Sequence, residues 1–108
     1  MTAPRTVAEV LDAAADLLTS EGAWTQGAQA RRADGKQVMA DGPNAVCWCL
    51  IGATEAADPE YFGTDADRVL YHLLGVDIVE WNDAPGRTQA EVVAKLREAA
   101  TLAREQGK

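Results

Sequence analysis

Histidine and cysteine are scarce in this chain: His72 stands alone, and Cys47 and Cys49 are the only thiols among 108 residues. A zinc centre takes about four ligands, so no metal site is expected from so few soft donors. Basic residues are also in short supply, with 10 Lys and Arg against 17 Asp and Glu and a formal net charge of -7. Neutralising a phosphate backbone needs clustered cations, so no nucleic-acid partner is expected. Long apolar runs are missing, since none approaches the roughly 18 residues of a membrane helix. No charged segment followed by an apolar core precedes the first helical pattern, so no secretory leader is read. These absences lead us to expect a cytoplasmic chain with reduced cysteines, no membrane partner and no cofactor.

Hydrophobic residues make up 47% and charged residues 25%, a balance that supports one domain with a real core. The acids are unevenly spread. Residues 55–83 hold Glu55, Asp58, Glu60, Asp65, Asp67, Asp77, Glu80 and Asp83 against Arg68 alone, and the remainder is neutral. Such a stretch serves as a solvated surface or as a face for a basic partner or, more weakly since no EF-hand spacing is present, a divalent cation.

Local signals outline the elements. Thr6-Val7-Ala8-Glu9 is a capping box that opens a helix over about 6–20, with Val7, Leu11, Ala14, Leu17 and Leu18 at helical spacing. Ala33-Asp34-Gly35-Lys36 is a turn, which predicts a hairpin of strands near 28–32 and 36–40. Asp41-Gly42-Pro43 starts a second helix running to Ala57, uncharged from Ala45 to Thr54 and so buried and central. Thr64 caps a third helix over 65–74, which Gly75 stops, and Val76–Trp81 is a strand or a single turn. A second capping box, Thr88-Gln89-Ala90-Glu91, opens a last helix to about Arg104, with Glu91 and Lys95 placed for an ion pair and 106–108 left to fray. The fold class is α+β and mainly helical: about four helices and a small β-hairpin around a buried central helix, in one domain over 1–108.

Three constellations carry possible chemistry. In a helix, Cys47 and Cys49 stand about 200° apart, so they cannot share an ion or a bridge. They read as core cysteines. Cys49, His72 and Asn82 or Asp83 follow the chain order of a thiol hydrolase, in which the imidazole takes the thiol proton and the third group orients the ring. Cys47, nearer the helix N-terminus, is the better nucleophile of the two. Trp24, Gln26, Trp81, Asn82 and Asp83 combine aromatic planes with amides and a carboxylate. That is how small polar ligands are held, and also how loops are tied down. Arg31, Arg32 and Lys36 form a basic cluster that can meet the acidic third within the fold or in a second copy.

Trp24-Thr25-Gln26-Gly27, Ala33-Asp34-Gly35, Cys49-Leu50-Ile51-Gly52-Ala53 and Trp81-Asn82-Asp83 together resemble a family of small uncharacterised proteins of actinobacteria and their phages. The resemblance spans nearly the whole chain. It implies a bacterial or phage cytosolic setting and no assigned activity. The leading expectation for function is a non-catalytic binding domain that engages a protein partner or a small polar ligand through Trp24, Gln26, Trp81, Asn82 and Asp83. The alternatives are a thiol-dependent hydrolase using Cys47 or Cys49 with His72, and a phage-associated modulator of host or defence proteins acting through the acidic surface. A homo-oligomer is open.

Overall fold

Thr6 caps the first helix as its spacing requires: its hydroxyl accepts the Glu9 N–H at 3.1 Å, and Glu9 Oε1 accepts the Thr6 N–H at 2.8 Å. The computed structural model describes residues 5–61 and 63–108. Helix α1 runs Val7–Leu17, three residues short of the expected end, and Leu18 turns down into the core. Helix α5, Gln89–Glu105, opens on the second capping box and packs along α1. Their polar seam is a cross-helix ion network in which Arg97 meets Asp12 at 3.0 Å and Asp16 at 2.6 Å, and Arg104 also meets Asp12. The Arg104 contact, followed by Arg97, holds the Asp12 carboxyl below its usual range. Glu91 does not pair with Lys95. Its carboxylate is taken by the Thr88 cap and by Arg87 at 3.2 Å, and Lys95 turns to Glu98 at 3.0 Å.

The second helix departs from expectation. Helix α2 spans Leu50–Ala57 only, and Cys47–Trp48 form a strand, β2, paired antiparallel with β1, Ala30–Arg31. Helical periodicity over 46–49 loses because three of the four N–H groups there find outside partners. Val46 donates to Arg31 O, Trp48 to Ala23 O and Cys49 to Gln29 O, at 2.8–3.0 Å. The register sets Ala30 opposite Trp48 and Arg31 opposite Cys47, and Trp24 bridges the other edge of Trp48 in parallel. The Asp34-Gly35 turn forms as read, with Gly35 at φ +87. Its strands shrink to one bridge, Arg31 to Gln37, because the Ala28–Ala30 run has little strand preference and Arg31 pairs instead with 47.

Helix α3, Thr64–Leu74, begins one residue earlier than read. Gly63, at φ +67, is the cap, and Thr64 donates its hydroxyl to Tyr61 O at 2.7 Å. A Cβ at Gly63 would lie 2.8 Å from the Thr54 carbonyl carbon, so close packing on α2 as well as conformation requires glycine there. Gly75 stops α3 in the left-handed region. Val76–Trp81 resolves into a short helix, α4, Ile78–Asp83, capped by Asp77. Helix α2 touches α1, α3, α4 and β2, so the arrangement is mainly helical around a central rod, as the sequence pattern implied. Leu11, Leu18, Leu50, Leu70, Leu96 and Val92 are fully buried. Each such side chain contributes about 1.5–3 kcal/mol by leaving water. Among the described residues no helix is long and apolar enough to cross a membrane.

Candidate binding site

The loop after α1 and the end of α4 are joined by a polar clasp centred on Asn82. Its side chain is fully buried. Asn82 Oδ1 accepts the Trp24 indole N–H at 2.7 Å and the Leu50 N–H at 3.0 Å. Its Nδ2 donates to Thr25 O at 3.1 Å and to Asp83 Oδ1 at 2.9 Å. The same Asp83 oxygen accepts the Gly27 N–H at 3.1 Å, and Gln26 Nε2 donates to the carbonyls of Asn82 and Ala84 at 2.9 and 3.2 Å. Trp81 lies under Arg87, whose guanidinium carbon sits 3.8 Å from the ring centroid. Trp24, Gln26, Asn82 and Asp83 are therefore brought together, and Trp81 flanks them through the same short helix. Their inward polar atoms are spent on one another and on backbone. What faces outward is the rim: exposed Gln26 and Asp83, and the half-buried Trp81 ring.

The basic cluster serves the same loop. Arg31 donates to Thr25 Oγ1, Gln26 O and Gly35 O at 3.0–3.2 Å, and Arg32 pairs with Asp34 at 2.8 Å. Among the described residues, none of Arg31, Arg32 and Lys36 forms an ion pair with an acid of residues 55–83.

The thiols are not on opposite faces of a helix. Cys47 lies in β2, and Cys49 follows in extended backbone at φ -81 and ψ -179, so the two residues share the two-residue period of a strand. Cys49 is the N-cap of α2, and its Sγ accepts the Gly52 N–H at 3.3 Å. Burial pushes the Cys49 thiol up, and the Asp83 charge adds to that, the reverse of what an activated nucleophile needs. His72 is exposed on α3, with its ring edge-on to Tyr71 at 6.0 Å, and makes no hydrogen bond to either sulfur. Among the described residues no three His, Cys, Asp or Glu side chains converge to hold a metal ion.

A half-buried carboxyl lies on the α2–α3 contact. The Thr54 hydroxyl stands 2.8 Å from Ile51 O and 2.6 Å from Asp67 Oδ1. One hydroxyl proton cannot serve two acceptors. A protonated Asp67 that donates to Thr54 Oγ1, while Thr54 donates to Ile51 O, satisfies both. Burial pushes the Asp67 carboxyl up to about 7, with Thr54 opposing and the Glu55 charge adding. In the unfolded chain it titrates near 3.8. Between these values the unfolded state has lost a proton that the folded state keeps, so this group's contribution to stability falls as pH rises from 4 to 7. We expect Asp67→Asn, which keeps a partner for Thr54, to gain about 2 kcal/mol on the natural chain between pH 5 and 8. Urea denaturation at the two pH values measures this, and a difference independent of pH would refute it.

One groove opens between these elements. About 490 Å³ in volume, it lies between α1 (Ala13, Leu17), the end of α2 (Ala56, Ala57) and the turn at Ala40–Gly42, with Trp48, Arg5 and Asp41 on its walls. The Trp48 indole N–H donates to Ala40 O at 2.8 Å, which sets the ring plane. Sequence reading missed this site because it placed Trp48 inside a helix. The available signal was Asp41-Gly42-Pro43, which serves as a turn as readily as a helix start.

In comparisons with known proteins, residues 2–102 match the model of a family of unknown function (DUF6197). No curated protein and no solved structure matches the chain.

Proposed function

We propose, for a chain that belongs to DUF6197, a role as a non-catalytic binding domain that takes a small ligand in the groove beside Trp48. One observation carries this reading: a held indole, a carboxylate unpaired among the described residues and a guanidinium line one groove, together with small apolar side chains, within the roughly 300–1,000 Å³ typical of ligand sites. The Trp24–Asn82–Asp83 group supports the reading differently from its sequence-level role. Its polar atoms hold the loop that carries Trp24 against β2 and α2, and so hold Trp48 in place. Its outer rim at Gln26, Trp81 and Asp83 is the competing mouth. A hydrolase reading has no support from the raised Cys49 thiol or from His72 on the surface. The two free thiols and the motif resemblance favour a reducing cytoplasm in an actinobacterium or its phage.

The three indole N–H signals of the ¹⁵N-labelled protein separate the sites. On titration with phenol, an aromatic body without charge, the Trp48 signal should shift saturably. The Trp24 signal, held by Asn82, should stay still. A saturable shift at Trp81 with Trp48 unmoved would place binding at the clasp rim and overturn the groove.

A further inference from the structure

Arg5 and Asp41 line the same groove but do not pair with each other or with any other charged group among the described residues. Arg5 is anchored at the C-terminal end of α2, where Nη1 donates to Ala57 O at 3.3 Å, and most of its five N–H donors have no partner among the described residues. Asp41 accepts no hydrogen bond from the described residues and follows Ala40, whose carbonyl holds the Trp48 indole. Among the described residues the groove thus carries one unpaired cation and one unpaired anion, and the indole of Trp48 is held by the residue next to that anion. From this arrangement we infer that the groove takes a small zwitterion with an apolar body, the class of a free aromatic or branched amino acid. This inference rests on the groove being the ligand seat.

Each part of such a molecule has a match. An ammonium group beside Asp41 shares the groove with the Trp48 indole, a ring type to which cations are drawn. Glu55 is not one of the lining residues but lies within charge range of Asp41. Burial raises the Glu55 carboxyl, and the charge of Asp41 raises it further, so the two acids feel one another. A carboxylate group is met by the free Arg5 donors. Ala13, Leu17, Ala56 and Ala57 form a floor of small and apolar side chains that covers the body of the ligand. Phosphates and other dianions fit badly, because a single guanidinium faces them while Asp41 repels them.

Four ligands with one phenyl body test this on the full chain: L-phenylalanine, phenethylamine, 3-phenylpropionate and N-acetyl-L-phenylalaninamide, each titrated against the Trp48 indole signal. Phenylalanine should bind best, and the singly charged analogues about three- to tenfold more weakly. Asp41→Asn should weaken phenylalanine and phenethylamine and spare phenylpropionate, and Arg5→Gln should show the reverse pattern. Both residues are on the surface, so unchanged melting temperatures establish that the variants are folded. Should the neutral amide match phenylalanine, the zwitterion is overturned while the groove remains a binding site. If none of the four moves Trp48 saturably, both readings fall.

Discussion

Asn82→Ala should lower the melting temperature by roughly 12–20 °C, from a loss of about 3 kcal/mol. The variant is expected to fold at low temperature, because no large apolar group is removed. The magnitude follows from what is left behind. Asn82 is wholly buried, and its two side-chain ends serve four partners: the Trp24 indole, the Leu50 N–H, the Thr25 carbonyl and the Asp83 carboxylate. Truncation strands the first three in a site that water reaches poorly, and each stranded group costs about 1–3 kcal/mol. Asn82→Asp separates the roles of the two ends. It keeps an acceptor for Trp24 and Leu50, loses the donor to Thr25, and sets a second carboxylate against Asp83. Its stability should therefore improve as the pH is lowered and a proton restores the donor. Thermal melts of both variants measure this. A fall of only a few degrees in Asn82→Ala would mean that the clasp is loose and that its residues are free for another task.

The second large effect is expected at Gly52. A Cβ there would lie 1.9 Å from Gln29 O and 2.9 Å from Gln29 C, both backbone atoms with no side chain to swing aside. Gly52→Ala must push the first turn of α2 away from the strand segment, breaking the 3.0 Å bond from Cys49 N–H to Gln29 O. We expect a loss of about 3 kcal/mol or more, at the upper end for overpacked sites. Gly75→Ala is the control. That residue needs a positive φ but meets nothing within 4 Å. Its cost should be about 1 kcal/mol, from backbone strain alone. Urea denaturation midpoints of the two variants test the contrast. Equal midpoints would show that the approach of α2 to Gln29 is not tight.

The Gly52 contact also bears on why the Cys-x-x-Gly-Ala segment could be noticed but not understood from its residues. Small residues after Cys49 suggest close backbone approach. Only the fold names Gln29 as the neighbour and shows Cys49 to be a helix cap rather than a mid-helix core residue. The Trp-Asn-Asp segment is similar. Its membership in one site with Trp24 and Gln26 could be read from residue chemistry, whereas the number of hydrogen bonds closing on Asn82 could not. The groove was less legible still. Arg5 lies far from Asp41 and Trp48 in the chain, and none of the three marks a site within its own stretch.

What the sequence determined by itself is local. Both capping boxes, the Gly75 stop, the Asp34-Gly35 turn and the long helices α1, α3 and α5 rest on contacts within a few residues, where propensity and periodicity suffice. The tertiary structure decided what depends on distant partners. Residues 46–49 carry a helical pattern, but the carbonyls of Ala23, Gln29 and Arg31 draw their N–H groups into strand pairing. A backbone N–H satisfied from outside does not need a helix, and the preference of four residues is too weak to resist three well-formed bonds. That exchange moved Trp48 out of the buried rod and onto the wall of a groove.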